Sequence, residues 1–421
     1  MPHPNQHAKM IQQASSFAGC TLYGWLVSPY TAKVRAMLHY KRIPFTDVVP
    51  SAFYLQSTMS KAVGRIIMPT VKLQGSVLTD ANPWRQDSAL ICDEIEKAHP
   101  EFPTRPSGPA QRMASSLLEL HGDEWLPMLA LHFRWNTENA DWAPAEFGRC
   151  AFPLLASFMA TRLVQPFATK MQSFRKVQGI TPETHGGIET YAAHLISTLE
   201  AHLTMNNYLL GDAPCRGDFS LYGPLWAHLY RDPHSRHLFE SAPAVVRWFE
   251  RLHGHQHDPA FPSDAVRTAA SGDGGAFLAG DEVPTTLDPI FRAIFDEQWP
   301  FLARLSAAID EHIRDEPGAE RVPRAFGYEA FTIGGSAGNR RMVTYQAWRL
   351  QRVLNEYAAL ALAPSRSMEL LAVDAWLDRL GVRETFCALN PRVRLERENG
   401  LPQAQEVLRP VATPGGIVSR L

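Results

Sequence analysis

Two places in the sequence set an oxygen-bearing side chain at the start of a helical pattern, where it can act on a charged ligand. Ser28 stands directly before Pro29, and Val34, Met37, Leu38 and Lys41 then recur at helical spacing until Ile43-Pro44. A serine hydroxyl there can donate to an anion, and the helix N-terminus adds the positive end of its dipole. Asp87-Ser88 stands before a second stripe, Leu90, Ile91 and Ile95. A carboxylate answers an ammonium, while a hydroxyl and the exposed N–H groups of a helix start answer a carboxylate. Both pairs also have a plainer reading. Ser followed by Pro is what any helix start prefers, and an acidic first-turn residue favours its own helix dipole.

The elements that must position these residues follow from the pattern around them. Thr21 to Val27 is a short apolar, aromatic segment that reads as a strand, and Phe45 to Val49 reads as a second. Thr70 to Leu73 and Val77-Leu78 read as a hairpin turning at Gly75, with Met68-Pro69 entering its first strand. The order is β-α-β, then β-β-α. Past the Pro-rich stretch Phe102 to Pro109 the pattern turns wholly helical, with stripes such as Leu117, Leu120, Trp125 and Leu129, then Ile188, Tyr191, Leu195 and Leu199. Phe219, Tyr222, Leu225 and Leu229, then Val245, Trp248 and Leu252, continue this all-α unit. Residues 255–288 are rich in Gly, Pro, Asp and Ala and read as a linker. Beyond them, Ile290 to Ile309 suggests a helix interrupted at Pro300, and Val343, Ala347, Leu350, Leu354 and Tyr357 suggest another.

A chain of 421 residues divides into domains rather than building one core. Its 45% hydrophobic and 20% charged residues are ordinary globular composition. The 41 basic and 43 acidic residues are spread without long runs, so neither nucleic acid nor a membrane surface is expected as a partner. Five scattered cysteines, with no Cys-x-x-Cys pair, argue against a disulfide framework and a thiolate zinc site and fit a reducing cytoplasm. Residues 1–19 lack the apolar core of a secretory signal and read as a polar arm, and no stretch reaches the length of a membrane span.

The run Tyr208-Leu-Leu-Gly-Asp-Ala-Pro-Cys-Arg-Gly-Asp218-Phe219, with the order of elements around it, resembles the helix-initiating signature of glutathione transferases. The resemblance covers about Thr21 to Gly254. It implies a thioredoxin-like domain over 20–103 that binds glutathione and an all-α domain over 109–254, followed by the linker and a mostly helical extension, 289–421, of no assigned role. Ser28-Pro29-Tyr30 resembles the family's serine-type active-site turn, which makes Ser28 the catalytic candidate, its hydroxyl donating to the glutathione thiolate. Tyr23 is the alternative donor. Met68-Pro69 resembles the family's cis-proline, whose preceding residue meets the cysteinyl group through its main chain. Asp87-Ser88 resembles the pair that receives the γ-glutamyl ammonium and carboxylate, although the connection from Pro69 is long, with Asn82-Pro83-Trp84-Arg85 inserted. Trp125, Phe133 and Trp135 fall where family members line the pocket for the electrophile, and equally suit a helical core.

In the family a Ser or Thr caps the helix that carries the signature Asp; here Cys215 takes that place, and a thiol is a weak acceptor. The function implied is conjugation of the glutathione thiolate to a hydrophobic electrophile, a detoxification chemistry, in a cytoplasmic homodimer. The alternatives on the same fold are a glutathione-dependent lyase or isomerase, and a non-catalytic ligand-binding or assembly module. No metal is expected: the run His253-Gly-His-Gln-His-Asp258 has metal-binding residue types but no second ligand cluster. Gly334 to Arg341 resembles a phosphate-cradling loop only loosely and reads as a turn before the helix at Val343.

Overall fold

The computed structural model describes residues 17–74, 82–253, 275–361, 368–397 and 408–412. Strand β1 (Cys20–Tyr23) leads through Ser28 into helix α1 (Pro29–Tyr40) and then β2 (Phe45–Val48), which pairs parallel to β1. A parallel pair needs such a crossover. Helical turns follow as α2 (Ala52–Tyr54, passing through a π-helical turn, Leu55–Met59, into Ser60–Val63). Strands β3 (Thr70–Lys72) and β4 (Trp84–Gln86) complete a sheet of order β2-β1-β3-β4, and α3 (Ser88–Ala98) covers it. Leu22 and Val71 face each other across β1 and β3, both fully buried. The domain is thioredoxin-like.

The fourth strand is not where the sequence pattern put it. Val77-Leu78 and the turn at Gly75 lie outside the described residues, and the strand pairing with Thr70–Lys72 is Trp84–Gln86. Trp84 and Arg85 of the apparent insertion therefore belong to the strand that delivers Asp87. Phe17, at the end of the stretch read as a polar arm, is buried, with the Gly19 N–H donating to the Pro44 carbonyl at 2.7 Å.

The second unit is helical: α4 (Pro109–Glu124), α5 (Pro127–Trp135), α6 (Asn139–Ala151), α7 (Ser157–Val177), α8 (Pro182–Leu203), α9 (Arg216–Pro224, continued by a π-helical stretch Leu225–Tyr230) and α10 (Pro243–Leu252). Helices α4 and α9 touch backbone to backbone at Gly122, where a Cβ would stand 2.5 Å from the Ser220 carbonyl carbon. At the signature, the buried Asp218 carboxylate accepts from the N–H of Cys215 (2.8 Å), the N–H of Leu209 (3.0 Å) and the Trp248 indole (2.9 Å). One side chain thus stitches the loop, its own helix and α10 together, whatever the strength of the thiol cap.

The end of the stretch read as a linker is ordered against this unit: Asp281 accepts from the N–H groups of Ala110 and Gln111 and so caps α4. The extension is mostly helical. Helix α11 (Asp288–Ala293) passes through a π-helical turn (Ile294–Gln298) into α12 (Trp299–Asp315), whose first turn holds Pro300. The expected interruption is this widened turn: the Trp299 N–H reaches back to the Ile294 carbonyl, and Pro300, with no N–H to give, falls where a helix start tolerates it. A hairpin, β5 (Ala325–Ile333) and β6 (Ser336–Val343), comes next, and its two-residue turn is Gly334-Gly335, both at positive φ (51° and 84°) as a type I′ turn requires. The glycine run is therefore a hairpin turn and strand rather than a turn before a helix. Helix α13 (Thr344–Ala361) follows directly and packs on α4, then α14 (Met368–Leu380), α15 (Arg383–Ala388) and the pair β7 (Val393–Arg397) and β8 (Leu408–Ala412).

Candidate functional site

The loop between β1 and α1 is pinned from both sides. The Trp25 indole donates to the Pro50 carbonyl at 2.8 Å, and the Val27 carbonyl accepts from Arg134 of α5 at 2.9 Å. Arg134 is itself buried and paired with Asp232 at 2.6 Å. Ser28 emerges from this loop with extended φ/ψ (−94°, 118°), and its Oγ accepts from the Thr31 N–H at 3.2 Å. That bond uses a lone pair and leaves the O–H available to donate, so capping and ligand contact coexist in one hydroxyl.

Ser28 lies on the wall of a cavity of about 770 Å³.

 A separate hollow of about 460 Å³ between α3, α4 and α13 is lined mainly by charged side chains. The larger cavity runs between the sheet domain and the helical unit: Ser28 and Met68 stand on one side, Leu131, Trp135, Phe147 and Phe167 on the other. Its wall is predominantly apolar, so an apolar molecule entering it loses contact with water while one end meets the Ser28 hydroxyl.

The structure brings some of the expected site residues together and separates others. Met68-Pro69 is a cis peptide, and Met68 faces the cavity. Trp135 is on the cavity wall, whereas Trp125 and Phe133 are not. Trp125 is 1% exposed, its ring edge-on to Phe331 at 5.9 Å and under the Arg340 guanidinium at 4.8 Å, both from the extension. Phe133 is buried in the main core, because residues two apart on a helix point to different sides and Trp135 has the cavity side. Tyr23 stacks on Tyr54 (5.4 Å) and its hydroxyl accepts from the Tyr54 hydroxyl at 3.0 Å, away from the cavity wall. Burial pushes the Tyr23 phenol up to about 12.

Asp87 ends β4 at a φ of 77°, in the left-handed region that a non-glycine residue seldom adopts. Its Oδ1 caps α3 by accepting from the N–H groups of Ala89 (2.9 Å) and Leu90 (3.4 Å). Its Oδ2 accepts from the Tyr345 hydroxyl of α13 at 2.7 Å. Asp87 and Ser88 are 8% and 9% exposed, and the extension, through Tyr345, covers the first of this pair that the resemblance assigns to the γ-glutamyl group.

A buried charge network continues from this contact. Arg349, one helical turn beyond Tyr345, donates to Asp123 of α4 at 2.6 Å; Asp123 also accepts from Lys33 of α1 at 2.6 Å. Glu119 accepts from Lys33 at 2.7 Å and from Arg216 at 2.6 Å. Glu124 lies alongside, its carboxyl pushed up to about 8 by burial, against the pull of Arg349. His121, between Gln298 (2.8 Å) and Tyr191 (3.0 Å), is held neutral, burial bringing it down to about 4. Reading the sequence missed Tyr345 and Arg349 because both lie in the segment without a family pattern, and Tyr345 is 258 positions from Asp87. Both fall between the members of the Val343, Ala347 and Leu350 stripe that predicts α13, so that stripe carries no trace of them.

Among the described residues no group of three or more His, Cys, Asp and Glu is placed to hold a metal ion, and most of the His253 to Asp258 run lies outside them. Also among the described residues, no helix is long and apolar enough to cross a membrane.

Residues 22–106 match the family model of the glutathione S-transferase N-terminal domain, and residues 189–255 match that of the C-terminal domain. No curated protein matches the chain in sequence. Among solved structures, FzlA from C. crescentus is 17% identical, over 63% of this chain and 98% of its own, with a TM-score of 0.37. The β-etherase LigF from Sphingobium is 17% identical, over 59% of this chain and 99% of its own, with a TM-score of 0.37. A glutathione S-transferase from Methylobacterium radiotolerans, in complex with glutathione sulfonate, is 19% identical over 59% and 95%, with a TM-score of 0.37. The thioredoxin-like sheet domain and the all-helical unit thus each carry a match to a glutathione S-transferase domain, and a C-terminal extension follows them.

Proposed function

We propose that the chain is an enzyme that binds glutathione in its first domain and joins the sulfur to an apolar electrophile held in the large cavity. The observation that carries this reading is the position of Ser28, a hydroxyl at the N-terminus of α1 on the wall of an apolar cavity of about 770 Å³, opposite Trp135. The hydroxyl and the helix dipole both favour a thiolate over a thiol, and the thiolate is the nucleophile. Asp87, Ser88, Met68 and Pro69 are the residues that hold glutathione in this reading, and two copies of the chain associate in the cytoplasm. A lyase or isomerase reaction would begin with the same thiolate and be told apart by its products.

The contact of Tyr345 with Asp87 favours a second reading, a binding module without glutathione chemistry, since an extension residue takes an acceptor that the γ-glutamyl ammonium would use. Calorimetric titration with reduced glutathione, wild type beside Ser28→Ala, followed by ultraviolet titration of the bound thiol, separates the two. Binding with a thiol pKa lowered by the wild type and restored in the variant supports the enzyme. No heat at several temperatures and no thiolate absorbance would leave the module.

A further inference from the structure

The balanced total charge of the chain hides a local imbalance. Residues 147–182 contain Arg149, Arg162, Lys170, Arg175 and Lys176 and no Asp or Glu, and residues 51–68 contain Lys61 and Arg65 and no Asp or Glu. Both segments border the large cavity. Arg162, Lys170 and Lys176 are exposed on α7 and make no ion pair among the described residues.

The same region exposes its largest apolar side chains. The turn before α7 and its first residues present Leu154 at 97% exposure, Phe158 at 75% and Met159 at 44%. From Met159 the apolar row continues at four-residue spacing through Leu163 and Phe167, which also border the cavity. Phe53, beside the α2 residues that line the opposite side of the cavity, is 80% exposed. Contiguous exposed apolar surface of this kind marks an interaction site.

We propose that this face, the turn before α7 together with α7, docks on an anionic lipid surface. A helix with apolar side chains on one flank, cations beside them and no carboxylate is the pattern of an interfacial helix, which gains from apolar burial and from attraction to acidic headgroups together. Leu154 and Phe158 stand clear of the surface rather than lining a groove, which suits insertion between headgroups better than a complementary protein pocket. Leu163 and Phe167 of α7 are shared by this face and the cavity wall, so docking would bring the cavity next to molecules dissolved in the bilayer. The docking itself does not depend on glutathione chemistry.

The full chain is sedimented with phosphatidylcholine vesicles and with vesicles containing phosphatidylglycerol, at low and high salt. Binding to the anionic vesicles alone, weakened by salt, is expected. Arg162→Gln with Lys176→Gln should weaken it by about fivefold per cation, and Leu154→Ser with Phe158→Ser should abolish it, both with an unchanged melting temperature because all four residues are exposed. Equal binding to both vesicle types, or none to either, overturns the proposal. So does a dimer, seen by light scattering, that Leu154→Ser with Phe158→Ser dissociates, because the face then belongs to a second copy of the chain.

Discussion

The Tyr345 hydroxyl donates to Asp87 at 2.7 Å, joining the extension to the residue that opens α3. The phenol occupies one oxygen of that carboxylate, and burial holds the phenol well above its ordinary pKa, so it stays a donor at any working pH. Tyr345→Phe removes only the hydroxyl. If Asp87 receives the γ-glutamyl ammonium, the variant should bind glutathione about fivefold more tightly while losing roughly 1–2 kcal/mol of stability. Calorimetric titration and chemical denaturation of the same preparation check both halves.

Ser28→Ala removes a cap and a donor at once. Stability should fall by about 1 kcal/mol, and the pKa of bound glutathione thiol should rise towards its value in water. Ser28→Thr keeps an oxygen that can cap and donate, and should restore both in a melting curve and an ultraviolet titration.

Glu124 gives a pH dependence with a definite sign. Its carboxyl titrates at about 8 in the folded chain, raised by burial, and near its ordinary 4.5 when unfolded, so between these values the folded chain binds a proton that the unfolded chain releases. The stability this group contributes is full below the ordinary value and is lost as pH rises through about 8. Glu124→Gln is uncharged throughout and should flatten the stability profile across that window, measured by denaturant unfolding at several pH values.

Arg349→Leu strips the buried Asp123 of one of its two cations. Breaking a buried pair from one side costs about 3–5 kcal/mol, and the loss should appear as a large fall in the denaturation midpoint. The Asp123→Asn, Arg349→Leu double variant should recover part of it, because no unanswered carboxylate is left.

How far the sequence could be read follows from how local each signal is. Ser28 before Pro29, Asp87 before Leu90, and the run ending in Asp218-Phe219 are helix starts, and a helix start is written within a few residues of itself. The two family domains were legible for that reason. The fourth strand was not, because Trp84–Gln86 is only three residues long and the turn signal at Gly75 points instead to the nearer apolar pair Val77-Leu78. Nor was the β5–β6 hairpin, whose glycines fit several kinds of turn. Trp125 and Trp135 look alike as aromatic residues on helices, and only packing shows that one lies against the extension and the other on a cavity wall.

The Asp123 carboxylate, shared by Lys33 and Arg349, has a consequence for how the molecule comes apart. Lys33, Asp123 and Arg349 belong to three successive stretches of chain, and withdrawing any one strands a charge away from water. Partial opening is therefore the expensive path, and the sheet domain, the helical unit and the extension should melt in a single calorimetric transition, with the calorimetric and van't Hoff enthalpies equal. A chain ending before residue 275 would lose that cooperativity along with the cover over Trp125.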